Sequence, residues 1–459
     1  MTGGRFFLTF SSIRVALRRV SREDTAMRRY FPLLFLLLLL CSFLSFAKEP
    51  VKPVKVEVKK VPDGWVLLRG GKPYYVYGVG GHGHLDLLKK LGGNSVRTWS
   101  ADTLATTSIR ADAQRLGFTI AAGLWLGHER HGFRYDDPAQ VKKQFDDAIA
   151  AVEKFKNEPT ILVWGIGNEM EGDGTNPAIW KAVNDIAREI HRRDPNHPTM
   201  TVIAGTGKDA VKLENFMKYC PDVDILGINS YGGMATLIDE VRAKKLDRPF
   251  IATEFGPIGW WERPRTSWGA PLEQTSTEKA DTYEKSYQHS VKGAGRLALG
   301  SYAFVWGNKQ ERTHTWFGLL VPNAKGGVDR TAVVDVLSRA WTGKWPADRA
   351  PLTSPIRTDV DRKEVTPSSE WTATISAKDP DGDSLVYEWE VREETHDAKE
   401  GGDPEAVPPA HPEAIVKANG AAVSFRAPNQ PGAYRLFVAV RDGRGGAATA
   451  NVPFYVKAQ

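Results

Sequence analysis

The chain has 459 residues, 41% of them hydrophobic and 25% charged, with a formal net charge of +6. That is more than one ordinary domain holds and enough for sizeable cores, so two or three globular units are expected. The positive excess is mild and no five like charges run together, which excludes nucleic acid as an expected partner.

The N-terminus reads as a targeting segment. Arg28 and Arg29 precede an apolar run, Leu33 to Leu40, and Ser45-Phe46-Ala47 offers a small-x-small cleavage site. Residues 1–47 are therefore expected to be a signal peptide, with Met27 as a possible true start. The apolar stretch is short for a membrane span. Cys41 falls within it, so after cleavage only Cys220 remains and no internal disulfide can form. A secreted or periplasmic bacterial protein fits this pattern.

Between Val56 and Trp345 strand-like and helix-like segments alternate. Strands are predicted at Tyr74–Val79, Ser95–Thr98, Thr119–Leu126, Thr160–Ile166, Thr199–Ala204, Ile225–Asn229, Phe250–Thr253 and Ser301–Trp306. Ile161 to Ile166 is almost wholly apolar, as expected of a parallel strand buried on both faces. Helical period fills the gaps. Val141, Phe145, Ile149, Val152 and Phe155 form one stripe behind an Asp137 cap and Pro138, and Asn176-Pro177 repeats that start. Eight strand–helix units match an α/β fold, the (β/α)8 TIM barrel, over residues 51–345. A doubly wound open sheet would show a Gly-rich phosphate turn after its first strand, and Gly78 to Gly83 lacks that spacing. Val51 to Gly71, ahead of the first strand, reads as a β-hairpin plugging the barrel bottom.

Pro346, Pro351 and Pro355 mark a linker at 346–356. Beyond it, Trp371–Ser376, Leu385–Val391, Ala422–Phe425, Tyr434–Val440 and Asn451–Val456 alternate with Asp/Gly/Pro turns. They predict a small C-terminal all-β immunoglobulin-like sandwich over 357–459. Asp379 to Asp383 (D-P-D-G-D), with the strand after it, resembles sandwiches of the polycystic-kidney-disease or cadherin-like class. Its plain reading is a turn, and Ca²⁺ binding is a second reading. Glu393 to Pro412 reads as an extended polar loop. The sandwich is expected to act as a spacer or to contact a glycan or cell surface.

The barrel strands would direct their C-terminal ends into one mouth. There the sequence places Arg97 after strand two, His128 after strand three, and Asn168 with Glu169 after strand four. Asn229 and Tyr231 follow strand six, Glu254 ends strand seven, and Trp306 ends strand eight. Two carboxylates with an arginine, an amide and aromatics suit retaining glycoside hydrolysis. In that chemistry one carboxyl protonates the leaving oxygen and the other, about 5–5.5 Å away, attacks the anomeric carbon. The acid needs a raised pKa and the nucleophile must stay ionised. Arg97 is suited to keep Glu254 ionised, Asn168 to bond a sugar 2-hydroxyl, and Trp306 to stack on a pyranose.

Trp164 to Glu169 (W-G-I-G-N-E) together with Thr253 to Gly256 (T-E-F-G) resembles the catalytic core of clan A glycoside hydrolases. The likeness is greatest to the barrel of glycoside hydrolase family 2 and related β-glycosidases, and β-1,3-glucanosyltransferases share the barrel and the short N-terminus. The resemblance implies Glu169 as acid/base and Glu254 as nucleophile. Asn94 to Thr98 (N-S-V-R-T) and Gly227 to Tyr231 (G-I-N-S-Y) resemble the strand-two and strand-six motifs, implying substrate-site roles for Arg97 and Tyr231, and Trp306 matches the strand-eight tryptophan. Family 2 enzymes carry a sugar-binding sandwich and an immunoglobulin-like domain before the barrel, and this chain has room for neither. The expected substrate is a β-linked oligo- or polysaccharide, with hydrolysis and transglycosylation both open.

Other residues have competing readings. Glu171 is a rival for the acid role. His82, His84, His128 and His131 include a His-x-His pair, but no third ligand lies at recognisable spacing, so no metal or other cofactor is expected. His128 is the one expected to contact sugar or to serve structurally. Trp99, Trp125, Trp260, Trp261, Trp268 and Trp316 lie near strand ends or in loops, and Gly256 to Thr277 is the candidate subsite wall or lid. A barrel that binds carbohydrate without turnover is the alternative from another class, as is a scaffold displayed through the sandwich. Retention of both Glu169 and Glu254 argues against the first, and a scaffold would predict further sandwich repeats where the sequence shows one.

Overall fold

The computed structural model describes residues 52–458, so the expected signal peptide, Met27 and Cys41 lie outside the described residues. Among the described residues no helix is long and apolar enough to cross a membrane. Cys220 is buried, its thiol donates to Trp180 O at 3.3 Å, and burial pushes its pKa up to about 12.

Eight parallel strands close into a barrel: β1 (Val76–Gly80), β2 (Ser95–Arg97), β3 (Thr119–Leu124), β4 (Ile161–Ile166), β5 (Thr199–Ala204), β6 (Ile225–Ser230), β7 (Phe250–Phe255) and β8 (Ala298–Ala303). They pair in sequence order and β8 returns to β1, which rules out an open sheet. β3, β4, β6 and β7 are buried at every residue, because the barrel interior takes one face and the helical ring the other. The helix Pro138–Phe155 starts where its sequence dictates: Asp137 accepts from the Ala139 and Gln140 backbone N–H groups, ahead of proline at the first helical position. Asn176 caps Pro177–Arg193 in the same way, accepting from Ala178 N.

Thr199–Ala204 matches the prediction at both ends and the other seven strands shift by one to three residues, two of these shifts with consequences. The first barrel strand starts at Val76, because Lys72–Tyr74 pairs with Gly64–Arg69 instead. Those segments and Val56–Val61 form a three-stranded antiparallel sheet, one strand more than the expected hairpin. It covers the barrel bottom, with Val56, Leu67 and Trp65 packed against Val163, Met200, Ile225 and Ile251. The last strand ends at Ala303 rather than Trp306, which leaves Phe304 and Val305 at the mouth.

β7 carries an irregularity. Ala252 pairs with Ile228 but Glu254 with Asn229, so Thr253 is an extra residue relative to β6. Such bulges kink a strand and re-aim side chains.

Beyond the barrel stand two four-stranded sheets. One is ordered Arg357–Thr358, Glu370–Thr374, Ala422–Arg426, Ile415–Asn419, and the other Glu364–Val365, Ala447–Val456, Gly432–Arg441, Val386–Glu393. Each of the five expected strands is present, together with short ones that no alternation marked. The proline-rich stretch 346–356 is packed rather than free. Ala350 N donates to Asp335 Oδ2 at 2.6 Å, and Leu352–Thr353 pairs with Ala377–Lys378. Arg435, with no exposed surface, joins the two units: it donates to Glu394 Oε1, Asn451 Oδ1 and the barrel-side carbonyl of Pro271. Asn451 donates in turn to Glu273 Oε2 at 2.7 Å, and Glu273 is ion-paired with Lys279. At the Asp379–Asp383 turn, Asp379 Oδ1 accepts from Asp381 N and Asp383 N.

Candidate active site

The C-terminal ends of the barrel strands open into a cavity of about 940 Å³. Its lining includes Asn168 and Glu169 beyond β4, Asn229 and Tyr231 at β6, Glu254 on β7, and Phe304 and Val305 beyond β8. Arg97, at the end of β2, is 3% exposed and lies beneath them.

Glu254 is held by three donors. Arg97 Nη1 and Trp99 Nε1 reach its Oε1 at 2.8 and 2.7 Å, and the Tyr231 hydroxyl reaches Oε2 at 2.9 Å. Burial and the two glutamates push the Tyr231 phenol well above its ordinary pKa, so it remains a donor. Arg97 also donates to Thr253 O at 3.0 Å, and its second terminal nitrogen reaches Asn168 Oδ1 at 2.6 Å.

Glu169 has different surroundings. Its carboxylate accepts from Asn229 Nδ2 at 2.7 Å. Desolvation first, and then the charge of Glu254, raise its pKa from 4.5 to about 7. Its backbone lies at φ 55°, in the left-handed region a side chain seldom adopts. Gly167 two residues earlier is left-handed too, at φ 73°, and a Cβ there would run into the Met170 side chain. The turn thus projects Glu169 over the strand end. Such strain is typical of functional positions.

The structure brings together six of the eight residues that the sequence placed at the mouth: Arg97, Asn168, Glu169, Asn229, Tyr231 and Glu254. Two differ. Trp306, expected as a stacking surface, is buried among core residues three positions past β8, with Nε1 donating to Gly83 O at 2.9 Å. Phe304 takes the place beside the cavity, edge-on to Trp99 and Tyr231. His128, expected to contact sugar, is buried behind Trp125 with ring centroids 5.0 Å apart and is not part of the lining. Burial, helped by the charges of Arg130 and His131, lowers its pKa to about 4. Glu171, the rival acid, points away: it pairs with Lys212 at 2.6 Å and accepts from Ala204 N. Among the described residues no group of three or more His, Cys, Asp or Glu could hold a metal ion.

Other functional groups carried weak signals in the sequence. Trp99 is two residues past Arg97 and so on the same face of the strand end, which the i, i+2 rule exposes. Asn229 stood at a strand end without an assigned partner. Trp125 and Trp261, each 49% exposed, line the cavity together with Trp260, whereas Trp268 and Trp316 do not. The loop after β7 contributes Trp260–Glu262 to the wall. Glu400–Pro404 of the sandwich also lines the cavity, which nothing in the polar composition of that segment foretold.

Residues 111–259 match the family model described as "Glycosyl hydrolases family 2, TIM barrel domain". That span holds both Glu169 and Glu254, and the family is the one whose likeness the motifs around them carry. A β-galactosidase of Arthrobacter sp. (strain B7) is 27% identical over 183 residues, which is 37% of this chain and 17% of that protein. Among solved structures, a Bacteroides uniformis β-glucuronidase bound covalently to cyclophellitol-6-carboxylate aziridine is 13% identical. It covers 88% of this chain and 48% of its own, with a TM-score of 0.46. Saccharomyces cerevisiae Gas2p, in complex with laminaritetraose and laminaripentaose, is 17% identical, covers 65% of this chain and 69% of its own, and has a TM-score of 0.47. The chain thus spans under half the length of the first two relatives.

Proposed function

We propose that this protein is a secreted retaining glycoside hydrolase acting on β-linked glycans, with Glu169 as acid/base and Glu254 as nucleophile. The observation that carries the reading is the opposite treatment of the two carboxyls. Three donors converge on the Glu254 carboxylate oxygens, while Glu169, with its pKa raised to about 7, keeps a proton to give.

Glu254 attacks the anomeric carbon and forms a glycosyl ester as the bond to the leaving oxygen breaks. Glu169 hands its proton to that oxygen, which leaves as an alcohol. The Glu169 carboxylate then takes a proton from water, whose oxygen attacks the anomeric carbon and frees Glu254. A sugar hydroxyl in place of water gives transglycosylation on the same residues. Asn168, fixed by Arg97 and Asn229, is placed to bond the 2-hydroxyl. The secretion component rests on Arg28–Ala47, and N-terminal sequencing of exported protein starting at Lys48 is its check.

The test compares wild type and Glu254→Ala on aryl β-glycosides with and without azide. Activity lost in the variant and regained with azide, giving the glycosyl azide of inverted configuration, is the expected result. Wild-type turnover indifferent to Glu254 would overturn the assignment.

A further inference from the structure

We infer that the C-terminal sandwich is part of the substrate site: Glu400–Pro404 and Trp125 together form a distal subsite for sugar units of an uncharged β-glycan. This rests on the glycosidase reading above and extends it to a second domain.

The segment is fastened at two places on the barrel rim. At one, Asp403 accepts from Arg130 at 3.4 Å and pairs with His131 at 3.0 Å, both in the loop that follows β3. At the other, Lys309 and Arg312, in the loop that follows β8, donate to Gly402 O at 3.0 Å and Lys399 O at 3.1 Å. Glu405 closes that anchor by accepting from Arg312 N and Lys399 N at 2.6 and 3.0 Å. β1 and β2 lie between β8 and β3 in the barrel order. The sandwich segment therefore bridges the rim above two strands and stands as a wall of the cavity. Its closeness requires glycine. Gly401 and Gly402 are left-handed, at φ 60° and 76°, and a Cβ on Gly401 would overlap the Arg130 guanidinium.

Adjoining this wall is a platform. Trp125, His128 and His131 stack nearly parallel, with centroids 5.0 and 5.4 Å apart and tilts of 10° and 8°. One end of the column is the exposed indole in the cavity, and the other is the ring that meets Asp403. An apolar indole face in a cavity also lined by Glu400 and Asp403 suits a pyranose, which has one apolar face and a polar rim. The charge on this side selects against acidic sugars. Glu262, Glu311, Glu400 and Asp403 line the cavity, and Lys309 is its one lysine or arginine among the described residues. The Lys309 ammonium is already taken by Glu311 and Gly402 O. A uronate or sulfated unit would find no free cation to pair with.

The experiment uses the full chain with cello-, laminari-, galacto- and manno-pentaose (β-linked), a β-linked oligoglucuronate, and the matching nitrophenyl monosaccharides. Wild type and Glu254→Ala first identify a probe cleaved in a Glu254-dependent way. If none is, the glycosidase reading fails and the subsite falls with it. With a cleaved probe, the ratio of kcat/KM on the pentaose to that on the nitrophenyl monosaccharide is compared for wild type, Trp125→Ala and a chain lacking Glu400–Pro404. We expect that ratio to fall at least about fivefold in each variant, chiefly through the pentaose KM. Asp403→Ala, which removes one exposed anchor, supplies the same readout if the deletion fails to fold. An unchanged ratio in Trp125→Ala and in the folded loop variant overturns the subsite while leaving the glycosidase reading intact. A preference of wild type for the oligoglucuronate overturns its uncharged character.

Discussion

Asn229 holds Glu169 through a 2.7 Å hydrogen bond, given by the same nitrogen that reaches Asn168 Oδ1 at 3.1 Å. That bond favours the ionised acid and offsets part of what burial and Glu254 do. The amide is itself aimed by Thr253, whose hydroxyl donates to Asn229 Oδ1 at 2.7 Å. Asn229→Ala should therefore raise the Glu169 pKa further and move the alkaline limb of kcat/KM to higher pH. The pH–rate profile of the variant on an aryl β-glycoside checks this, and an unmoved or lowered limb contradicts it.

The wild-type alkaline limb should lie near pH 7, because turnover needs the protonated acid and the Glu169 pKa is about 7. Stability carries the same signature. The folded pKa lies above the ordinary 4.5, so the folded chain binds the proton more tightly. This contribution is fully present below about pH 4.5 and is lost as pH rises through 7. Glu169→Gln should flatten the decline and be more stable than wild type at pH 8, by about 1–2 kcal/mol after allowing for partial exposure. Thermal melts at pH 5 and pH 8 measure it. The same variant should lose about 10²–10⁴-fold in kcat on substrates with a poor leaving group.

Arg97 is the common tie between Glu254 and Asn168. Arg97→Lys keeps a charge but cannot make both contacts with a planar fork. It should lower kcat about tenfold or more while leaving the fold intact. Arg97→Met leaves the buried Glu254 carboxylate without its counter-ion and should destabilise by about 3–5 kcal/mol. Denaturant titration separates the two effects.

Trp261 lies edge-on to Tyr231 with centroids 5.2 Å apart, is 49% exposed and lines the cavity. A sugar face covering roughly 50 Å² of indole would contribute about 1 kcal/mol. Trp261→Ala should thus raise KM about fivefold with a smaller effect on melting temperature than loss of a fully buried tryptophan, because half of the ring is exposed.

Arg435 spans the seam between the two units with no exposed surface. Arg435→Ala strands Glu394 and the Asn451–Glu273 contact, and should cost about 3–5 kcal/mol. Its melting transition should show the barrel and sandwich losing structure together.

The barrel, its order and the paired glutamates were legible because strict apolar runs and capped helices leave little choice of element, and a parallel closed sheet puts all strand ends on one side. Trp306 misled because strand ends slide by a few residues without changing the apolar pattern: Ser301–Trp306 and Ala298–Ala303 look alike. His128 misled because position at a strand end says nothing about which way a ring faces. The sandwich wall was invisible for another reason. Asp403 meets Arg130 and His131 across more than 270 positions of chain, and no local periodicity encodes such a contact.

The additional residue in β7 has a consequence for tolerance to insertion and deletion. Thr253 has no opposite number on β6, and its side chain and carbonyl serve Asn229 and Arg97 instead. Strand side chains alternate between the two faces, so with this position lost Glu254 would still follow the outward Ala252 and face the mouth opposite Asn229, but the hydroxyl that aims Asn229 and the carbonyl that receives Arg97 would be gone. A one-codon deletion here would leave a barrel of ordinary hydrophobicity whose Asn229 and Arg97 have lost a shared support. Length variation along this chain should therefore accumulate in its connecting segments and stop abruptly at Phe250–Phe255.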